Sequence, residues 1–229
     1  MNIINLSLII VATLNFIFSI LVLTRNFKSK INLYFFFTML FSVFWSLCLV
    51  GYFFMFSSPV RLVFVKLSYI SALYISFYYF LFCYHFPFKK ISISKILIFI
   101  LYLFVILFSF FISINNDFFI YSDQLFVNNI EITRPINYSF YVAIFSLFVL
   151  IGFLQLIYKY KDSEGTNKKL IGYVIVGTLL SFLFGFITNL LPAYWNNFEI
   201  AWLGPVFTLI NLLVIAYLLF IKKFNIIWK

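Results

Sequence analysis

Seven stretches, each about 20 residues or longer and nearly free of charge, make up most of this sequence. They run roughly over residues 3–24, 31–56, 62–84, 94–114, 138–158, 170–191 and 201–221. A helix needs about 20 mainly apolar residues to cross the hydrocarbon core of a bilayer. Within that core every backbone N–H and C=O must find its partner inside the protein, so only helices and closed barrels can span it. Barrel strands alternate apolar and polar residues with a period of two, whereas these runs are apolar almost throughout. The expectation is therefore an all-α integral membrane protein, a seven-transmembrane helix bundle forming one membrane domain over residues 1–229. Composition agrees. With 65% hydrophobic and only 10% charged residues, a soluble domain would lack the polar cover its surface needs. That excludes an ordinary soluble enzyme, a nucleic-acid-binding domain and a disordered chain. Membrane lipids are the expected surroundings, and no nucleic-acid partner is expected despite the net charge of +10.

The basic residues between the runs fall unevenly. Arg25, Lys28 and Lys30 follow the first run. Lys89, Lys90 and Lys95 lie between the third and fourth, and Lys159, Lys161, Lys168 and Lys169 between the fifth and sixth. Lys222, Lys223 and Lys229 follow the seventh. Alternate connections thus carry thirteen of the 16 basic residues, leaving Arg61, Lys66 and Arg134 for the other side. Short basic loops stay in the cytoplasm, so the N-terminus is expected outside and the C-terminus inside, in the inner (plasma) membrane of the cell. Asp117, Asp123, Glu131 and Glu199 then fall outside. The first run is long, ends in Arg25 and has no basic residue before it, so it reads as a retained helix rather than a cleaved signal peptide. Lys66 and Lys95, each one turn inside a span end, are expected to snorkel outward.

One connection is long. Residues 115–137 join the fourth and fifth runs, and connections of that length usually carry structure of their own. Phe118 to Tyr121, the Ser122-Asp123-Gln124 turn and Leu125 to Val127 read as a small extracellular β-hairpin. A plain linker lying on the headgroups is the alternative.

Few residues here carry chemistry. Cys48, Cys83 and His85 are the only cysteines and histidine, short of the four ligands a structural zinc site wants, so no metal site is expected. The two cysteines lie toward opposite ends of their spans, which argues against a disulfide. No carboxylate pair faces a plausible pocket, no H-E-x-x-H run is present, and no catalytic residue or cofactor is expected. No Asp, Glu, Lys, Arg or His lies mid-membrane, which argues against a proton pump or ion-coupled transporter. What remains is neutral and polar: Asn15, Ser46, Thr178, Ser181, Asn189, Thr208 and Asn211, with Trp45 and several tyrosines. Such groups usually bond across helices. They also supply the few convergent polar groups of an apolar pocket. The candidate ligand-binding residues are Trp45, Tyr69, Asn189, Thr208 and Asn211, between spans two, three, six and seven. Gly172, Gly177 and Gly185 permit close packing of span six. Asn189 to Pro192 is expected to end that span, and Gly204-Pro205 to open the seventh.

The second half carries an ordered series: Thr188-Asn189-Leu190-Leu191-Pro192, then Leu203-Gly204-Pro205-Val206-Phe207-Thr208-Leu209-Ile210, then Ile215-Ala216-Tyr217 and the basic end Lys222-Lys223-Phe224. Lys168-Lys169-Leu170-Ile171-Gly172 and Gly177 precede it, and Asn32 to Phe36, Trp45-Ser46-Leu47 and Gly51-Tyr52 mark the first half. This series resembles the N-terminal seven-transmembrane sensor region of bacterial histidine kinases. The resemblance implies a sensory or signal-input domain with an outside N-terminus, taking a small-molecule or lipid ligand. It also implies a cytoplasmic kinase or other output module, in cis or in trans, and a homodimer. Related regions precede nucleotide cyclase outputs as well. These 229 residues hold no phospho-acceptor helix and no ATP-binding Gly-rich motif, so the chain itself is not expected to be an enzyme. If it is a fragment, its parent is expected to be a histidine kinase. The alternative is a stand-alone small-solute carrier or other multi-pass membrane protein. The two halves show none of the repeat symmetry that would favour a carrier.

Overall fold

A computed structural model describes residues 3–54, 58–89, 92–115, 135–194 and 200–220. Among these residues every regular element is helical: α1 (Ile3–Arg25), α2 (Lys30–Phe54), α3 (Ser58–His85), α4 (Lys95–Ile114), α5 (Pro135–Lys161), α6 (Gly165–Gly185), a π-helical turn (Phe186–Leu190), α7 (Leu191–Tyr194) and α8 (Leu203–Phe220). Helices α1 to α5, and α6 with its π turn, are each long and apolar enough to cross a membrane; the apolar stretch of α8, Leu203–Leu218, is shorter. The expected hairpin within 115–137 lies outside the described residues, as do Lys222, Lys223 and Lys229.

The ends of these helices follow local chemistry. Ser94 sits in extended backbone before α4 and accepts a hydrogen bond from Leu97 N, satisfying one of the free donors of the first turn. Gly165 opens α6 at φ 56°, a left-handed value that glycine takes at no steric cost, and so lets the chain reverse out of α5. Span six departs from its expected end. Asn189 to Pro192 does not stop the helix: the backbone widens into the π turn and resumes as α7 to Tyr194.

Six helices close a ring in the order α1, α2, α3, α5, α6 and α8, with α8 returning to α1. Helix α4 stands outside it against α3. Its residues Val105, Phe108, Ser109 and Ile112 recur at helical spacing and are buried, while Phe99, Leu103, Leu107 and Phe110 are exposed. A wide apolar face of this kind is stable against acyl chains and not against water. One core cluster joins α3 to α4 and α5 through Leu73, Phe77, Phe108 and Phe148. A second joins the ring through Val22, Phe35, Phe82, Leu156, Val174 and Ile215. Stacked rings tie α2 to α3, with Phe41 4.5 Å from Tyr74 and Phe37 4.9 Å from Tyr78. Asn15 on α1 donates to Ser42 Oγ on α2 at 3.0 Å.

Two lysines do something other than snorkel. Lys66 is buried, and its Nζ donates to the Ser113 carbonyl in the last turn of α4 at 3.1 Å. Lys159, at 1% exposure, donates to the carbonyls of Cys83, Tyr84 and Phe86 at 2.8, 2.9 and 2.7 Å. These carbonyls lie at the end of α3, where helix geometry leaves acceptors without partners. The negative end of the helix dipole also favours a cation there. Lys159 thus fastens the end of α3 to α5.

Candidate functional site

Inside the ring lies a cavity of about 110 Å³, lined among the described residues by 25 side chains or backbones of α2, α3, α5, α6 with its π turn, and α8 with Ala201 before it. None of the 25 is charged.

At one end the polar groups meet. Tyr79 Oη and Thr178 Oγ1 are 2.6 Å apart, joining α3 to α6. Asn211 Nδ2 on α8 approaches the same Thr178 Oγ1 at 3.4 Å. Gly177 makes room for this: a Cβ there would meet Asn211 Oδ1 at 2.6 Å. That oxygen is buried without a hydrogen-bond partner. Near the middle, Ser181 Oγ donates to the Phe207 carbonyl at 2.6 Å and pins α6 to α8. Gly185, two helical steps before the π turn's second residue, has nothing within 4 Å of where a Cβ would sit, and it leaves part of the cavity open.

The other end is built around the π turn. Asn189 Nδ2 donates to the Ala201 carbonyl at 3.0 Å, drawing the start of α8 onto α6. A Cβ on Gly204 would meet Asn189 Nδ2 at 2.8 Å and Trp45 Cη2 at 2.9 Å, so the absence of a side chain lets both residues close on the first turn of α8. Tyr138 Oη on α5 donates to the Leu190 carbonyl at 2.9 Å. Tyr141 Oη donates to the Tyr69 carbonyl at 2.9 Å, and the two rings meet edge to face at 5.1 Å. A π turn loosens the backbone ladder and is common at functional sites. Here a tyrosine of the neighbouring helix meets one of its carbonyls.

All five residues singled out from the sequence, Trp45, Tyr69, Asn189, Thr208 and Asn211, line this one cavity. Thr208 turns its hydroxyl to the Gly204 carbonyl at 3.0 Å. The sequence reasoning missed the Tyr79–Thr178 pair and the whole contribution of α5, which presents Tyr141, Phe145 and Val149. Thr178 stood among the neutral polar residues of span six, but nothing in a chain that is 24% aromatic paired it with Tyr79 or marked the residues of α5. Among the described residues Cys48 and Cys83 are free thiols, and no three His, Cys, Asp or Glu side chains gather where a metal could bind.

A ring of apolar helices about an uncharged internal cavity defines a multi-pass helical membrane protein with a pocket inside its bundle. Residues 7–227 match the family described as the N-terminal 7TM region of histidine kinase, and the chain belongs to that family. This is a sensor region and not a catalytic one. No curated protein and no solved structure matches the chain.

Proposed function

We propose that the chain is a signal-input domain of the inner membrane, with its N-terminus outside, its C-terminus inside and its stimulus site in the central cavity. Trp45, Tyr69, Asn189, Thr208 and Asn211 are the residues of that site. The output is a cytoplasmic kinase module, and the parent protein is a histidine kinase. The observation that carries this reading is the cavity itself, lined by helices of a histidine-kinase sensor family and reaching α8, the last described helix. A stimulus that occupies or empties the cavity binds two arrangements of the ring unequally, and α8 passes the difference inward. The 13 basic residues on alternate connections support the orientation.

The test uses this region joined to a kinase output in cells. Trp45→Ala and Asn189→Ala are expected to shift the basal output or the response. Unchanged signalling from both variants at normal membrane levels would sink the proposal. Cysteine labelling of the α5–α6 turn and of the α2–α3 turn from outside the cell checks orientation, with the second turn expected to react first.

A further inference from the structure

The small volume of the cavity is spread along several helical turns. Its lining runs from Thr38 to Tyr52 on α2 and from Val65 to Tyr79 on α3. Each interval is 14 residues, or about 21 Å at the α-helical rise. Averaged over that length, a volume of about 110 Å³ leaves about 5 Å² of cross-section for the centre of a water-sized sphere, and hence a bore roughly 5 Å wide. Wall carbons then stand about 4.4 Å from the axis, close to the optimal carbon–carbon contact of about 3.5–4.0 Å. A slender carbon chain matches this average width better than a fused ring system does.

Charge and hydrogen bonding narrow the choice. A charged group would enter with no opposite charge among the described lining residues. Six lining hydroxyls already donate to backbone carbonyls: Thr38 to Tyr34, Ser68 to Val65, Ser76 to Leu73, Tyr141 to Tyr69, Ser181 to Phe207 and Thr208 to Gly204. A hydroxyl has one proton and two lone pairs, so these six oxygens are left as acceptors. They match a ligand that brings its own donor.

We propose that the cavity takes an uncharged, unbranched aliphatic molecule with a hydroxyl-type donor, a long-chain alcohol in chemical class. This names the ligand of the proposed input site and so rests on that reading. The polar cluster of Tyr79, Thr178 and Asn211 receives the hydroxyl end, because Asn211 Oδ1 there is a buried acceptor with no partner among the described residues, and the apolar walls of α2, α3 and α5 receive the chain.

The experiment places the chain in lipid nanodiscs and follows tryptophan fluorescence, since Trp45 lines the cavity. The probe is an ω-bromo long-chain 1-alkanol, whose bromine quenches a nearby indole. Saturable quenching is expected. Gly185→Leu, which places a side chain where nothing lies within 4 Å, is expected to weaken it about tenfold by filling the bore. The ω-bromo carboxylate of equal length, at pH 8, is expected to bind about a hundredfold more weakly, and this comparison in the unaltered chain stands even if Gly185→Leu misfolds. Quenching that rises without saturation, equal binding of the carboxylate, or equal competition by a fused-ring alcohol would each overturn the ligand class. Loss of alkanol binding with output still altered by Trp45→Ala rejects the ligand class alone. Alkanol binding with output unmoved by the alkanol and by Trp45→Ala supports the ligand class and rejects the input reading.

Discussion

The same substitution at two glycines of one helix should have opposite effects. Gly177 and Gly185 both lie in α6. At Gly177 a methyl would meet Asn211 Oδ1 at 2.6 Å, then Asn211 Cγ at 3.5 Å. The amide must turn away and give up its 3.4 Å approach to Thr178. Overpacking of this kind costs about 1–3 kcal/mol. A long hydrogen bond adds about 0.5 kcal/mol. Replacing a mid-helix glycine by alanine returns about 0.8–1.0 kcal/mol. The net for Gly177→Ala is about 1–2 kcal/mol of destabilisation. At Gly185 the methyl meets nothing within 4 Å, and φ −62°, ψ −37° already suits alanine. Only the propensity gain remains, so Gly185→Ala should stabilise by up to about 1 kcal/mol. The two variants should therefore differ by about 2–3 kcal/mol, a factor of about 30 or more in the unfolding equilibrium. Denaturation by dodecyl sulfate in mixed micelles, followed by near-ultraviolet circular dichroism, reads this gap. If the two variants coincide, or Gly177→Ala is the more stable, Asn211 is not seated on Gly177 and the polar end of the cavity is misdescribed.

Lys159→Met should destabilise by about 3 kcal/mol in the same assay, because three carbonyls lose a charged donor. The exposed neighbour Lys161→Met should stay within about 0.5 kcal/mol. Tyr79→Phe and Thr178→Val should each cost about 1 kcal/mol and couple by about 0.5–1.5 kcal/mol in a double-mutant cycle, since they share one bond. Additive effects would show that the bond is absent. Gly204→Ala should cost about 1–3 kcal/mol and shift tryptophan emission, because the Trp45 ring cannot yield as a flexible side chain does. An unshifted spectrum with unchanged stability would disprove the close approach.

The helical class was legible because a lipid-facing chain must be apolar around the whole helix, and such runs are hard to mistake. The five cavity residues stood out for a related reason: neutral polar groups are rare in these runs, and matching depth on different spans suggested that they meet. Thr178 was noted as a neutral polar residue, but its partner Tyr79 did not stand out, since a tyrosine among 16 carries little information. The π turn was illegible. Asn189 and Pro192 read as punctuation, whereas the wider turn is accompanied by Tyr138 reaching Leu190 from another helix. Snorkelling was the natural expectation for Lys66, and the acceptor that draws it inward belongs to Ser113, 47 residues further along the chain. Local sequence cannot report a partner of that kind.

The ring closes between its first and last members, α1 and α8, and this fixes when the cavity comes into being. A ribosome adding about 5–20 residues per second takes roughly 10–35 s to pass from the end of α1 at Arg25 to the start of α8 at Leu203. By the last 13 residues of that interval, about 1–3 s, α2, α3, α5 and α6 can all be in place, yet Gly204, Thr208 and Asn211 do not exist. The nascent bundle is an open trough whose inner face, including Trp45 and Asn189, meets lipid. Closure by α8 is thus the step that separates this space from the surrounding lipid.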